Sequence, residues 1–197
     1  MRLWNRLLQI STRFDFWLCR AHSTDWLHAL SISSCGLRLD NEAIRVAVGL
    51  RLGLELCQPH SCPCGAVVDA RGLHGLSCKK NAGRSLRHFQ INDLTFRTLK
   101  RPDIASTKEP KGLVREDGKK PDGLTLVPWK AGKATWDATI VDTFSASYLK
   151  VSPVSPGQAA EVAADRKKIK YSTVSTNHRF IPIAVETMGS INQEVSG

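Results

Sequence analysis

The chain has 197 residues, 42% of them apolar, enough for the core of one ordinary domain with or without an N-terminal appendage, which excludes a wholly disordered polypeptide. With 28 Lys and Arg against 18 Asp and Glu, the formal net charge is +10. The excess is uneven: between Lys79 and Lys120 twelve basic residues stand against five acidic ones, the footprint expected either of a polyanion partner or of a solvated basic face.

In chain order, MRLWNRLLQISTRFDFWLC is interrupted by Arg6, Arg13 and Asp15 and lacks the continuous apolar core of a signal peptide. No run approaches the roughly 18 apolar residues of a membrane span. A soluble, intracellular protein is expected. There, six cysteines favour metal ligation or buried thiols over disulfides. Residues 1–56 read as a helical segment. Trp4, Leu7, Leu8, Phe14, Trp17, Trp26 and Leu27 suggest amphipathic pieces, with Cys19 and Cys35 as core thiols. Asp40 is placed to cap a helix over 41–56, with Ile44, Val48, Leu52 and Leu56 on one face.

Residues 57–80 are rich in Cys, Gly, Pro and His. Within CPCGAVVDARGLHGLSC, Cys62, Cys64, His74 and Cys78 offer three thiolates and an imidazole, a set that can close a tetrahedral zinc site in a loop with almost no core of its own. Gly65, Gly72 and Gly75 are suited to tight turns around the ion. The one-residue spacer between the first two cysteines is shorter than usual, and Cys57 or His60 could replace a ligand. Buried cysteines beside a loop histidine are the alternative.

A second helix is expected over 84–100, with Leu86, Phe89, Ile91, Leu94, Phe96 and Leu99 forming a wide apolar face ended by Pro102. Strands are expected at 104–109, 123–127 and 135–143, the last two joined by PWKAGK. A loop around Pro153, Pro156 and Gly157 leads to a helix in AAEVAADRKKIKY. FIPIAVE closes the pattern as a strand whose proline suits an edge or a bulge. The fold class is therefore α/β: a sheet flanked by helices, behind a zinc knuckle and an N-terminal helical segment.

The carboxylates carry the chemistry. Asp137 lies inside an apolar strand, where a charge is costly to bury. Asp122, across the turn, would share its face if Leu124 paired with Asp137, placing the two diagonally at about 7 to 8 Å. A one-residue slip would separate them. Glu109, in KEP, could add a third carboxylate. Two carboxylates on neighbouring strands can seat the divalent cation that phosphodiester cleavage needs. On the later helix, Ala160, Ala163, Lys167 and Lys170 fall on one line, so the lysines can reach over the sheet, unless the helix simply has a basic outer surface. Asp142, of opposite parity to Asp137, is expected to do something else.

The succession CPC, HGLSC, KEP, KKPDG, WDATIVD, RKKIKY and FIPIAVE resembles the restriction-like endonuclease region near the C-terminus of site-specific non-LTR retrotransposon polyproteins, in the PD-(D/E)XK nuclease superfamily. It covers roughly residues 57–187. The resemblance implies a zinc knuckle at Cys62, Cys64, His74 and Cys78, preceding a restriction-like core over 81–190 and a tail at 191–197. It further implies the Pro-Asp pair at Pro121 and Asp122, the second acidic residue at Asp137, and a displaced lysine at Lys167 or Lys170 with Tyr171 alongside. The activity implied is Mg2+-dependent cleavage of target DNA, with Asp122 and Asp137 on the metal and Glu109 assisting. Arg84, Arg87, His88, Lys119 and Lys120 would grip the backbone. DNA, element RNA and the remaining polyprotein segments are the implied partners, the nucleus the compartment, and no membrane or small-molecule cofactor is expected. The second acidic strand reads Asp-Ala-Thr in place of Glu-x-Lys, and no Tyr-x-Asp-Asp of a reverse transcriptase occurs. A detached or decayed C-terminal fragment is expected, and a catalytically inactive, zinc-dependent nucleic-acid binder is the alternative.

Overall fold

The computed structural model describes residues 25–28, 30–35, 38–100, 103–115, 117–128, 132–172 and 178–196. The chain divides into two compact units. One comprises residues 1–81, 142–156 and 187–190, and the other 82–141, 157–186 and 191–197. No described helix is long and apolar enough to cross a membrane.

In the first unit, the described helical pieces before residue 40 are α1 (Asp25–His28) and a 3-10 turn (Ser33–Cys35). Of the expected 1–56 helical segment, residues 1–24, 29, 36 and 37, with Cys19 among them, and the Cys35 side chain lie outside the described residues. Helix α2 spans Asn41–Leu52. Asp40 caps it by accepting a 2.7 Å bond from the Ala43 amide, which satisfies one of the orphan donors of the first turn. Gly53, at φ 66°, ends it four residues short of the expected Leu56. The hairpin β1 (His60–Ser61) and β2 (Val67–Val68) and the single turn α3 (His74–Ser77) follow. Asp142–Pro156 is a run of turns, and Thr187 ties it to its own unit. The Thr187 hydroxyl accepts from the Thr143 amide at 3.3 Å and lies 3.4 Å from the Asp142 carboxylate. A continuous core over 81–190 was expected; the division into compact units groups 142–156 and 187–190 with residues 1–81.

The second unit holds α4 (Ala82–Lys100), β3 (Ser106–Lys108), β4 (Gly123–Thr125), β5 (Ala134–Val141), α5 (Gln158–Lys170), β6 (Arg179–Glu186) and α6 (Gln193–Ser196). The four strands form one mixed sheet in the order β3-β4-β5-β6, antiparallel except for the parallel pair β5 and β6. Helix α5 is the crossover that a parallel pair requires. Alternation along β5 and β6 divides the side chains between two faces. Trp136, Ala138 and Ile183 face α4 and pack with Ile91, Phe96 and Leu99, and the Trp136 indole donates to Asn92 Oδ1 at 3.0 Å. The expected apolar face of α4 was too broad. Leu86, Phe89 and Leu94 remain exposed, because at about 100° per residue Phe89 falls on the flank, and Leu86 and Leu94 toward the far side, of the line through His88, Asn92 and Leu99 that meets the sheet.

On the other face, α5 lays buried Ala159, Ala160, Ala163 and Ala164 against the sheet. Gly157 offers no capping side chain. Glu186, buried at the end of β6, substitutes by accepting from the Ala160 amide at 3.1 Å. A carboxylate at a helix N-terminus is favoured by both the free amides and the macrodipole. Pro182 lies on the edge strand, as expected. The exposed edge is closed by Asn192, whose amide group accepts from Ala184 N at 2.9 Å and donates to Pro182 O at 3.2 Å.

Candidate metal cluster and acidic cleft

The first candidate site is local. The Cys62 amide donates to Ala66 O and the Gly65 amide to Cys62 O, both at 2.8 Å, and Gly65 sits at φ 92°, so the chain reverses within a few residues and returns Cys64 toward the following helix. The ligand atoms of Cys62, Cys64, His74 and Cys78 all lie within 4.8 Å of one another. Cys62 and Cys78 sulfurs are 3.6 Å apart, and Cys64 Sγ is 3.2 Å from His74 Nε2. A tetrahedral zinc with bonds of about 2.0–2.3 Å has edges of roughly 3.5–3.8 Å, so this cluster could hold such an ion. A hydrogen bond from the Ala66 amide, with further help from the Cys62 thiol, lowers the Cys64 thiol to about 6, which favours the thiolate that zinc requires. Cys57 and His60 take no part: the Cys57 thiol turns to Asp69 O, and His60 Nδ1 to Gln58 O at 2.8 Å. Gly75 lies inside α3 and has no left-handed φ, unlike Gly65 and Gly72.

The second site is assembled from distant segments of the second unit. Strands β4 and β5 pair only at Gly123 with Trp136 and Leu124 with Thr135. This register is two residues from the expected one. A shift of two preserves parity, and continuing it one step sets Asp122 opposite Asp137 on the same face. Beyond that point the strands part and the β4-facing groups of Ala138 lose their ladder partners. The gap is bridged by side chains. Asp122 Oδ2 accepts from the Ala138 amide at 2.7 Å, and His88 Nε2 lies 3.1 Å from Ala138 O and 3.3 Å from Asp122 Oδ2. His88, expected on DNA backbone, is therefore part of the cleft wall. The bond to Asp122 holds its imidazole above the ordinary range, against the effect of burial. Asp122 uses Oδ2 for both contacts, and no described residue engages Oδ1.

Asp137 is only 4% exposed. Lys167 ion-pairs with its Oδ2, and the Tyr171 hydroxyl approaches Oδ1 at 3.3 Å and Lys120 O at 2.9 Å. Burial pushes the Asp137 carboxyl upward; Lys167 pulls it back and the Asp122 charge adds to the rise. Lys170 Nζ donates to the Tyr171 hydroxyl at 2.9 Å. Its ammonium is held below the ordinary lysine range, first by burial and then by Lys167. The line Ala160, Ala163, Lys167, Lys170 thus runs from packed alanines to amines inside the cleft.

Glu109 does not complete a triad of acids. Its amide bonds to Asp122 O at 2.8 Å, but its carboxylate is 68% exposed and pairs with Lys120 Nζ at 2.6 Å. At φ 48° its backbone is left-handed, and this turns the side chain out of the strand's alternation. Among the described residues, no three acids approach as closely as the Cys/His ligands do. Arg84 is exposed on α4, Arg87 half-buried, and Lys119 sits 3.4 Å from Asp117. Asp142 stands apart, accepting from the Phe144 amide at 3.0 Å in the first unit. Sequence reasoning missed Arg115, whose guanidinium lies 5.7 Å from the Tyr171 ring centre; only the fold brings that loop residue to the helix end.

A cavity of about 370 Å³ opens on the opposite, α4-facing side of the sheet, lined by Ile91, Leu94, Trp136, Ile181 and Ile183, with Arg179 and Glu194 at 3.9 Å from each other. Its walls are apolar and it gathers no acids and amines comparable to those around Asp137. Comparison of the chain with family models, curated proteins and solved structures finds no match.

Proposed function

We propose that this protein is a metal-dependent DNA endonuclease of the restriction-like PD-(D/E)XK type, as its resemblance to the nuclease region of non-LTR retrotransposon polyproteins implies, and that it acts in the nucleus. One observation carries the reading: a nearly buried aspartate faces a second one where two strands part, and meets an amine from the crossover helix. Burying such a pair is costly, and alanines on the same helix face show that packing alone did not require it.

The donor set suits a hard cation. Asp122 and Asp137 would hold Mg2+, and Asp122 Oδ1 is open to it. Bound there, Mg2+ supplies neutralisation of phosphate charge and a water acidified toward hydroxide. The chain's own groups do the rest. Tyr171 fixes the Asp137 carboxylate through Oδ1, and His88 and the Ala138 amide fix Asp122. Lys167, the amine nearest Asp137, orients the attacking water, while Lys170 stabilises charge on the phosphoryl oxygens. Glu109 assists indirectly by holding Lys120. Arg84, Arg87, Lys119 and Lys120 draw in the DNA backbone, so binding should weaken steeply with salt. The Cys/His cluster would take Zn2+ as a structural knuckle.

Nicking of supercoiled plasmid with Mg2+, abolished by Asp122→Ala and by Asp137→Ala, is the direct test. The outward turn of Glu109, which leaves two carboxylates in place of three, favours a second reading as a binding-only relative. Salt-sensitive DNA binding without any nicking would establish that reading.

A further inference from the structure

Among the described residues, the charges above the Tyr171 ring do not balance. The Arg115 guanidinium lies 5.7 Å from the ring centre and the Lys170 ammonium 4.5 Å from it. Lys167, Lys119 and Arg115 all act on Lys170 as like charges. The described acids nearby have other basic partners: Asp137 has Lys167, Asp122 has His88 through Oδ2, and Asp117 has Arg115 Nε at 3.5 Å and Lys119 Nζ at 3.4 Å. Among the described residues, Lys170 hydrogen-bonds to a hydroxyl alone, with the Asp137 charge attracting it without a direct contact. Arg115 Nη1 is buried with no acceptor among the described residues, an arrangement proteins rarely leave without a ligand or water to satisfy it.

The loop presenting Arg115 is tied down. Its amide donates to Lys119 O and the Gly118 amide donates to Arg115 O, both at 2.9 Å, with Gly118 at φ 73°. A turn closed this way holds the guanidinium against Tyr171. An arginine fork beside one or two ammonium groups is matched by a tetrahedral oxyanion, whose oxygens accept two parallel N–H bonds.

We propose that Arg115, Lys119 and Lys170 form a phosphate subsite of the cleft, taking a DNA backbone phosphate, and that Arg115 sets the register of the strand on Asp122 and Asp137. The identity of the ligand as DNA rests on the nuclease reading; the oxyanion chemistry of the subsite does not.

The test uses the full chain and a fluorescent DNA duplex, with Ca2+ replacing Mg2+, across a series of salt concentrations. Arg115→Gln should weaken binding about tenfold and reduce the slope of log affinity against log salt by about one. Lys111→Gln, the same charge change on an exposed residue of the same loop, should do neither. Arg115→Lys should restore the slope. In case Arg115→Gln fails to fold, inorganic phosphate titrated into the wild-type protein should give a saturable NMR shift at Arg115 Nε–H and none at the Lys111 amide. If Arg115→Gln and Lys111→Gln bind alike at every salt concentration, or the Arg115 signal is indifferent to phosphate, the subsite is refuted. Reduced binding by Arg115→Gln in a wild-type protein that never nicks supports the subsite and removes the nuclease reading. Nicking by the wild type, with KM and salt slope unchanged in Arg115→Gln, does the reverse.

Discussion

The Cys/His cluster and the acidic cleft are built on opposite plans. In the cluster, four candidate ligands come from seventeen consecutive residues; Cys64 and Val67 beside it are exposed. In the cleft, Asp122, Asp137, Lys167 and Tyr171 lie on, or one residue beyond, strands and a helix already held by Trp136, Ile183 and a row of alanines. A local site of soft ligands must obtain its folding energy from the metal. A dispersed site borrows its rigidity from the sheet and can carry unbalanced charge that a cation or a phosphate later neutralises. Zinc should be part of the first fold, whereas Mg2+ should be only a visitor to the second.

Removing zinc should therefore have the largest effect. Cys78→Ser or a strong chelator should abolish bound zinc, measured by metal analysis, and open residues 57–80 to protease, since structural zinc contributes about 10–16 kcal/mol of apparent binding energy. Simultaneous loss of the Trp136 indole NMR signal would break the contrast by making the sheet depend on zinc. Next come the carboxylates: Asp122→Ala or Asp137→Ala should lower plasmid nicking at least about 10³-fold, roughly 4 kcal/mol, with the NMR spectrum of the sheet retained. Gly123→Ala probes the scaffold itself. A β-carbon there would overlap the Trp136 indole, which is buried and anchored on Asn92, so urea unfolding should show a loss of about 1–3 kcal/mol.

The smallest effect has the opposite sign. Asp137→Asn should raise the melting temperature of the metal-free protein at pH 7 by about 2–4 °C while nicking is lost. Burial raises the folded-state pKa of Asp137, so its stabilising contribution is present at low pH and is lost as pH rises through the folded value. The advantage of Asn should accordingly shrink as the pH falls toward the ordinary carboxylate range. An Asn variant less stable than wild type at pH 7 would mean that the Lys167 pair outweighs desolvation, and the cleft would then be a structural ion pair.

The contrast also explains what the sequence revealed. The cluster was legible as four residues that could hold a metal ion because ligand spacing is a local property, and Cys57 and His60 lie outside it. Helices were legible through Asp40 and the alanine-lysine line. The cleft was legible in its residue types and parity, not in its register, because a slip of two residues leaves the alternation of apolar side chains unchanged. The place of His88 in the cleft wall was not legible, because it reaches Ala138, fifty residues away, at a gap that exists only once β4 and β5 diverge. Glu109 failed for a backbone reason, a positive φ that no alternation rule anticipates. Arg115 carried no local signal.

Glu186 gives the cleft a remote adjustment. It anchors the first turn of α5 at Ala160, roughly 10 Å along the axis from Lys167 at 1.5 Å per residue. The helix behaves as a lever pinned at one end, with its amines at the other. Any change that lets the pinned end slip by a fraction of a turn would swing both ammonium groups away from Asp137 without altering a single residue of the cleft.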